Sequence, residues 1–209
     1  MKPESISAVA PSVPPWKALA GLISETRTAL RLTALLPLYG LLRKLYQTRN
    51  IKGQDPYLQV ISLVQCLGYM FFQATENVAF LADKRVISRR WIDKRGGSAK
   101  WYLWSSRGWL TGVSCDILAL ARKAVIEQGK RSSLGGKEGS EVEKERQQQF
   151  DESWYRELLV ASCWLPLSLH GSLDGGLKGV NMGAVGFLGL IAGARGSAAQ
   201  WAKTEPSAT

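Results

Sequence analysis

Few residues in this sequence could carry out bond-making chemistry. The single histidine, His170, lies near the end of an apolar run, with no nucleophile motif beside it. Three cysteines, Cys66, Cys115 and Cys163, are odd in number, far apart and embedded in apolar sequence, which indicates reduced, buried thiols. The sequence contains no HExxH, CxxC, Walker or nucleophile-elbow motif. It therefore predicts a protein that is not an enzyme and has no cofactor and no metal site.

Anion binding is the chemistry that the sequence does indicate, in the stretch from Asp83 to Arg107. Eight basic residues there accompany two acidic ones, with tryptophans between them. Nucleic acid could use this mixture, with cations on phosphates and rings stacked on bases. An anionic membrane interface uses it equally well. Apolar runs flank the stretch on both sides, so lipid is the preferred ligand and nucleic acid is not expected. The candidate contacts are Arg85, Arg89, Arg90, Arg95, Trp91, Trp101 and Trp104.

The composition supports a membrane surface as the partner. The 209 residues carry a formal net charge of +10, and 45% are hydrophobic. A strong positive charge favours an anionic partner, either nucleic acid or lipid. A mean hydropathy of −0.08 is too low for a multi-span transporter, so the chain is predicted to be part membrane and part aqueous. Residues 1–15 contain four prolines and no continuous apolar run, which predicts a disordered N-terminus without a signal peptide.

A glycine-rich apolar stretch near the C-terminus has the length of a membrane helix. The uncharged run 179–194 would reach roughly 24 Å as a helix, and extending it to residue 202 gives roughly 36 Å. These lengths bracket a hydrocarbon core of about 30 Å. A turn at 174–178 would place the run beside the uncharged segment 158–173, so residues 153–203 are predicted to form a membrane-anchoring hairpin before a tail at 204–209. The candidate helix-packing glycines are Gly179, Gly183, Gly186, Gly189 and Gly193.

Two helices are expected between Trp16 and Gln47, separated near Pro37. In the second helix, one face gathers leucines while Arg43 and Lys44 lie elsewhere. Such a helix could lie in the headgroup plane with its leucines among the acyl chains. It could equally be a core helix with a solvated basic face, and the sequence leaves both open. The candidate inserting residues are Leu38, Leu41, Leu42, Leu45, Arg43 and Lys44.

The middle of the chain predicts further helices. Asp55 and Pro56 form a helix start, and residues 57–75 then carry no charge. That run could span a membrane, but Glu76 and Asn77 follow it, which favours a bundle or a half-inserted position. A seven-residue apolar repeat after residue 103 indicates an amphipathic helix that ends near Gly129. Residues 16–128 are thus predicted to be an amphipathic, membrane-associated helical region, and the charged residues 129–152 an aqueous linker, disordered or partly helical.

Four stretches together resemble the peroxisomal biogenesis factor 11 family, in particular a fungal member of its C-type branch. They are residues 25–39, 73–83, 165–170 and 183–191, and the resemblance covers most of residues 24–201. None of the four is a catalytic signature. Their order and spacing carry the match.

This resemblance implies an all-α, integral protein of the peroxisomal membrane that self-associates and elongates the membrane before fission, with cytosolic termini. It also implies an N-terminal amphipathic helix that inserts into anionic lipid, within residues 16–47. Implied partners are the phospholipid membrane, further copies of the chain, a dynamin-type fission machinery and import factors for peroxisomal membrane proteins. Two alternatives remain open: a small-metabolite pore lined by Gln59, Gln65, Gln73 and Glu76, and a basic RNA-binding module.

Overall fold

The computed structural model describes residues 13–49, 51, 53–133, 141–202 and 204. Every regular element within those ranges is a helix, which confirms the all-α prediction. Most of the predicted disordered N-terminus, and all of the predicted tail except Thr204, lie outside the described residues. The helices are α1 (Pro15–Leu30), α2 (Leu35–Thr48), α3 (Pro56–Asp83), α4 (Arg89–Asp93), α5 (Gly97–Ser133), α6 (Glu141–Ser172) and α7 (Met182–Ala202).

The first helical run is divided in two, as predicted, although the break precedes Pro37. A short 3-10 turn, Arg31–Thr33, separates α1 from α2. Pro37 lies in the first turn of α2, where a missing backbone N–H leaves no helical hydrogen bond unmade. The proline therefore helps to start α2, and the interruption between the two helices lies at residues 31–34.

The start of α3 follows the prediction. The Asp55 carboxylate accepts a hydrogen bond from the Leu58 N–H at 3.0 Å, and Pro56 occupies the first helical position. Arg122 of α5 donates to the same carboxylate, with its Nη2 2.7 Å from Oδ2. These bonds lower the pKa of Asp55, the Arg122 hydrogen bond most strongly. One carboxylate thus caps α3 and ties its beginning to the later part of α5.

Antiparallel packing of α3 against α5 forms the centre of the fold. A Cβ added to Gly108 would lie 2.8 Å from the Phe72 nitrogen and 2.9 Å from the Gly68 oxygen, so the two backbones are nearly in contact. One turn further along α5, Gly112 lies against the ring of Tyr69. Asp116 then accepts hydrogen bonds from Tyr69, at 2.9 Å, and from Gln65.

The remaining helices extend this pair into a row. On one side α2 packs against α3, and on the other α6 packs against α5 and α7 against α6. Trp154 of α6 donates from Nε1 to the Leu120 oxygen at 2.9 Å, and the rings of Trp109 and Trp164 lie 5.5 Å apart. Most of the buried apolar residues are small. In a row, each helix has at most two neighbours, so many of the large apolar side chains remain exposed.

The residues predicted to form a charged linker, 129–152, include the end of α5 and the beginning of α6. Residues 129–133 end α5 and residues 141–152 begin α6, while 134–140 lie outside the described residues. Glu127 is buried here and pairs with Arg146 at 2.8 Å and with Arg131 at 3.3 Å. Arg131 also contacts Asp151 at 2.7 Å. The charged part of the sequence therefore joins α5 to α6 through ion pairs.

Candidate membrane-interaction site

Helix α1 presents an apolar face with no protein partner among the described residues. Its large apolar side chains recur at three- and four-residue intervals, and none of its residues is buried. They are Trp16 (66% exposed), Leu19 (57%), Leu22 (64%), Ile23 (58%) and Leu30 (73%). A surface ion pair between Glu25 and Lys84, at 2.8 Å, reaches back to the end of α3. An amphipathic helix with its apolar face open is the form that enters a lipid interface.

The leucines predicted to form the inserting face of α2 are only partly exposed. Leu38, Leu42 and Leu45 are half-buried on the side of α2 that faces α3, where the Cys66 thiol lies 3.5 Å from the Leu38 oxygen. Leu41 is 44% exposed, and Arg43 and Lys44 are exposed. Three of the four leucines thus help to hold α2 on α3, the arrangement of a packed helix with a solvated basic face. An inserting role for all four would require α2 to leave that contact.

The basic and aromatic stretch folds into α4 and the turns around it. The Arg95 guanidinium lies 4.1 Å from the centre of the Trp91 ring, and that ring lies 5.6 Å from the ring of Trp101. Arg85, Arg89 and Arg90 are exposed on the same segment. The structure therefore brings Arg95, Trp91 and Trp101 together, and their contact with lipid stays a prediction. Cations beside indole rings suit the headgroup region of an anionic membrane.

Trp104 belongs to a neighbouring group on α5. Its ring lies 6.3 Å from that of Phe71 on α3, and Arg107 lies 5.1 Å from its centre. Both Phe71 (45% exposed) and Trp104 (44%) are open to the surroundings. Trp104 thus contacts Phe71 and Arg107 and extends the apolar surface of α3.

That surface makes α3 a candidate for crossing a membrane. Val60, Val64, Leu67 and Phe71 recur along one exposed side of the helix. Within the described part of the chain, α3 is the one helix long and apolar enough to span, and 22% of its most apolar stretch is buried. The apolar part of α7, Met182–Ala194, is shorter. Helix α3 therefore joins the C-terminal run as a candidate for crossing a membrane.

The C-terminal glycines occupy two different settings. Gly179 precedes α7 and has a φ of +86°, so it belongs to the turn and not to a helical face. An added Cβ at Gly186, Gly189 or Gly193 would meet nothing within 4 Å. Ala192 is buried where α7 packs against α6. Within the described residues, these three glycines are therefore not used for close packing, and a role between copies of the chain stays a prediction.

The polar residues considered as a pore lining form hydrogen bonds or ion pairs with other residues of the fold. Gln73 is 3% exposed and donates to Asn77 at 2.8 Å, while Glu76 binds Arg31 at 2.9 Å. Gln65 donates to Asp116 on α5. Gln59 binds Gln54 beside the start of α3. These pairings use the polar groups to join helices, which does not favour the pore alternative.

His170 has a structural position at the α6–α7 turn. Its Nδ1 accepts a hydrogen bond from the Leu177 N–H at 3.0 Å, and its ring packs over Gly176, whose φ is +73°. Among the described residues, no group of three or more His, Cys, Asp or Glu side chains could hold a metal ion. The histidine therefore fixes the turn that Asp174–Lys178 was expected to form.

Sequence reasoning missed two sets of residues that the structure makes prominent. The apolar face of α1 was obscured because alanines, glycine and basic residues interrupt it. The close-packing glycines Gly108 and Gly112 were also missed, although their four-residue spacing in an apolar stretch was a visible signal.

Comparison with known proteins agrees with the resemblance seen in the sequence. The profile of the family "Peroxisomal biogenesis factor 11" matches residues 8–201, from before α1 to the end of α7. A protein of Schizosaccharomyces pombe, described as uncharacterized, is 30% identical over 173 residues, which are 83% of this chain and 70% of that protein. No solved structure matches. The chain belongs to the peroxisomal biogenesis factor 11 family, peroxisomal proteins that act in peroxisome biogenesis and proliferation and are not enzymes.

Proposed function

We propose that this protein remodels the peroxisomal membrane by inserting α1 into one leaflet, and so elongates the organelle before fission. The observation that carries the proposal is the face of five large apolar side chains on α1, each more than half exposed. A helix buried about 5–10 Å into one leaflet enlarges that leaflet relative to the other. The resulting area difference favours curvature.

The basic and aromatic segment supports this role as a second contact with lipid. Arg85, Arg89, Arg90 and Arg95 are exposed beside the Trp91–Trp101 pair. Each cation near an anionic surface contributes about 1 kcal/mol to binding, and salt weakens that contribution. Glu25 of α1 lies 2.8 Å from Lys84, the residue before Arg85, so α1 and the segment are close enough to meet one membrane surface.

Association of several copies would concentrate the curvature. The exposed glycines Gly186 and Gly193 of α7 offer a surface on which a second helix can approach closely. Family membership supports recruitment of a dynamin-type fission machinery and delivery by import factors for peroxisomal membrane proteins as further parts of this proposal.

The test replaces Leu19→Ser and Ile23→Ser together and measures binding and tubulation of anionic vesicles by the full chain. Full burial of one such side chain is worth about 1.5–3 kcal/mol, so the double change should weaken vesicle binding at least about tenfold and abolish tubules. Val142→Ser is the matched control, because Val142 is 76% exposed but lies in the charged beginning of α6. The control should bind and tubulate as the unaltered protein does.

Two results would contradict the proposal. Normal tubulation by the Leu19/Ile23 variant would show that α1 is not the inserting helix. Release of a trapped dye from vesicles that stay spherical would favour a pore instead.

A further inference from the structure

The turn between α1 and α2 is held by polar side chains that lie toward the C-terminal end of α3. Asn77 donates from Nδ2 to the Leu32 oxygen at 3.1 Å and in turn accepts from Gln73 at 2.8 Å. Gln73 and Asn77 are both buried. A buried amide needs such partners, because leaving one unmade costs about 1–3 kcal/mol. The Leu32 carbonyl is therefore fixed to one point of α3.

An ion pair holds the preceding residue of the same turn. Arg31 Nη2 lies 2.9 Å from Glu76 Oε1, and the two side chains are 30% and 12% exposed. The guanidinium also lies 5.6 Å from the centre of the Phe72 ring. Consecutive residues of the turn, Arg31 and Leu32, thus bind consecutive residues of α3, Glu76 and Asn77. The two pairs together set the direction in which α1 leaves the turn.

The rest of α1 is held weakly by comparison. The Glu25–Lys84 pair is exposed, with side chains 62% and 43% accessible. An exposed pair of this kind contributes little to stability. Helix α1 is thus held firmly to α3 at its C-terminal end and only weakly along the rest of its length.

We propose that Glu76 and Asn77 are positioning residues that set the angle at which α1 meets the membrane. This inference rests on the proposed inserting role of α1. In the described part of the chain, Arg31 Nε and Glu76 Oε2 are buried and have no hydrogen-bond partner. A bidentate ion pair, in which Arg31 Nε donates to Glu76 Oε2 beside the existing bond, would give both atoms a partner. The turn therefore has a second bonded arrangement available through a small movement, which gives α1 a limited range of angles while it stays attached.

The test uses Glu76→Gln and Asn77→Leu in the full chain, with Lys84→Ala as the matched control. Hydrogen exchange of amides 31–36 reports on the turn, and exchange of the α3 and α5 amides reports on the fold. Loss of one buried hydrogen bond should speed exchange at the turn by about tenfold. Both α3 variants should still bind anionic vesicles through the unchanged apolar face of α1, but should form fewer or irregular tubules.

The outcomes separate this inference from the proposed function. Unchanged exchange at the turn and normal tubules in both α3 variants would overturn the positioning role, while leaving an inserting α1 intact. The positioning role would also be overturned if Lys84→Ala had the same effect, because the exposed Glu25–Lys84 pair would then set the angle of α1. If Asn77→Leu also lost protection in α3 and α5, Glu76→Gln, which keeps the side-chain size, would decide the question alone.

Discussion

At the scale of single residues, glycine determines how closely the two central helices approach. Gly68, Gly108 and Gly112 lie where α3 crosses α5, and an added Cβ at Gly108 would meet backbone atoms, which cannot move aside as a side chain can. In water a helix-interior glycine costs about 1 kcal/mol relative to alanine. The close backbone contact explains why glycine occupies this position.

We expect Gly108→Ala to destabilise the protein although alanine is the better helix former. The new methyl group forces α3 and α5 apart, and overpacking of this kind costs about 1–3 kcal/mol. Thermal unfolding of the detergent-purified protein should show a lower midpoint. Gly186→Ala is the matched control, because its Cβ would meet nothing within 4 Å, and it should leave the midpoint unchanged or raise it. Equal midpoints for the two variants would contradict the close contact.

The glycines also show which features were predictable at this scale. The spacing of glycines in the C-terminal run was evident from the sequence, but spacing does not say which glycines face a neighbouring helix. That depends on how each helix is rotated about its axis, which only the packed structure shows, as where Gly112 lies against the ring of Tyr69. The Asp55 cap was predictable because it acts within four residues of its own position.

At the scale of elements, a buried carboxylate joins α5 to α6. Glu127 has a side chain that is 5% exposed and binds arginines from both helices, Arg131 and Arg146. These hydrogen bonds, first that of Arg146, lower the pKa of Glu127. An acid whose pKa falls on folding stabilises the fold when it is ionised. The contribution is therefore complete above the unfolded pKa, about 4.3, and is lost as the pH falls through the lower, folded value.

We expect the α5–α6 junction to loosen on acidification below about pH 4. Hydrogen exchange at amides 141–152, corrected for the intrinsic effect of pH, should rise there, and Glu127→Gln should already show fast exchange at neutral pH. Glu141→Gln is the control, since Glu141 pairs with Lys144 while its side chain is 83% exposed. Protection that survives in Glu127→Gln would mean that Trp154 packing alone holds the junction.

Helix identity was largely predictable from the sequence, whereas helix partners were not. The Asp55–Pro56 cap gave the start of α3, and apolar periodicity and uncharged runs indicated the other helices. The same periodicity could not distinguish a leucine face that meets lipid from one that meets α3, because both surroundings are apolar. The blurred pattern of α1 hid its open face for a related reason: small residues fill the gaps between its large apolar side chains.

At the scale of the whole molecule, the central helix α3 carries an exposed apolar stretch between acidic residues at its two ends. Helix α3 has 28 residues and would reach about 42 Å, longer than a hydrocarbon core of about 30 Å. Its exposed side carries Val60, Val64, Leu67 and Phe71, while Asp55 and Asp83 mark its two ends. The core helix of a water-soluble protein would be mostly buried, so this helix has the exposure expected of one that faces lipid.

We expect Val64→Lys with Leu67→Lys to release the protein from carbonate-washed membranes. A lysine at the centre of a spanning helix costs about 2.5–3.5 kcal/mol, and both positions are 43–49% exposed, so folding should tolerate the change. Val142→Lys, at an exposed position outside the apolar middle, should stay in the pellet. Deletion of α7 should also leave the protein in the pellet. Release by that deletion, with no effect of the two lysines, would place the anchor in α7.

Assembly of copies should depend on the outward glycines of α7, which the fold of one copy leaves open. Gly186 and Gly193 are seven residues apart and both exposed, so they lie on one side of the helix. Without a hydrophobic force between helices in lipid, association relies on close backbone approach, which a larger side chain prevents. Gly186→Ile with Gly193→Ile should therefore lower the yield of chemically crosslinked oligomers in membranes, while Gly186→Ala with Gly193→Ala should have a smaller effect. Because an added Cβ at either position would meet nothing within 4 Å in one copy, the alanine pair should not lower the unfolding midpoint. Crosslinking at full yield in the isoleucine variant would show that copies meet through another surface, and the exposed side of α3 would be the next to test.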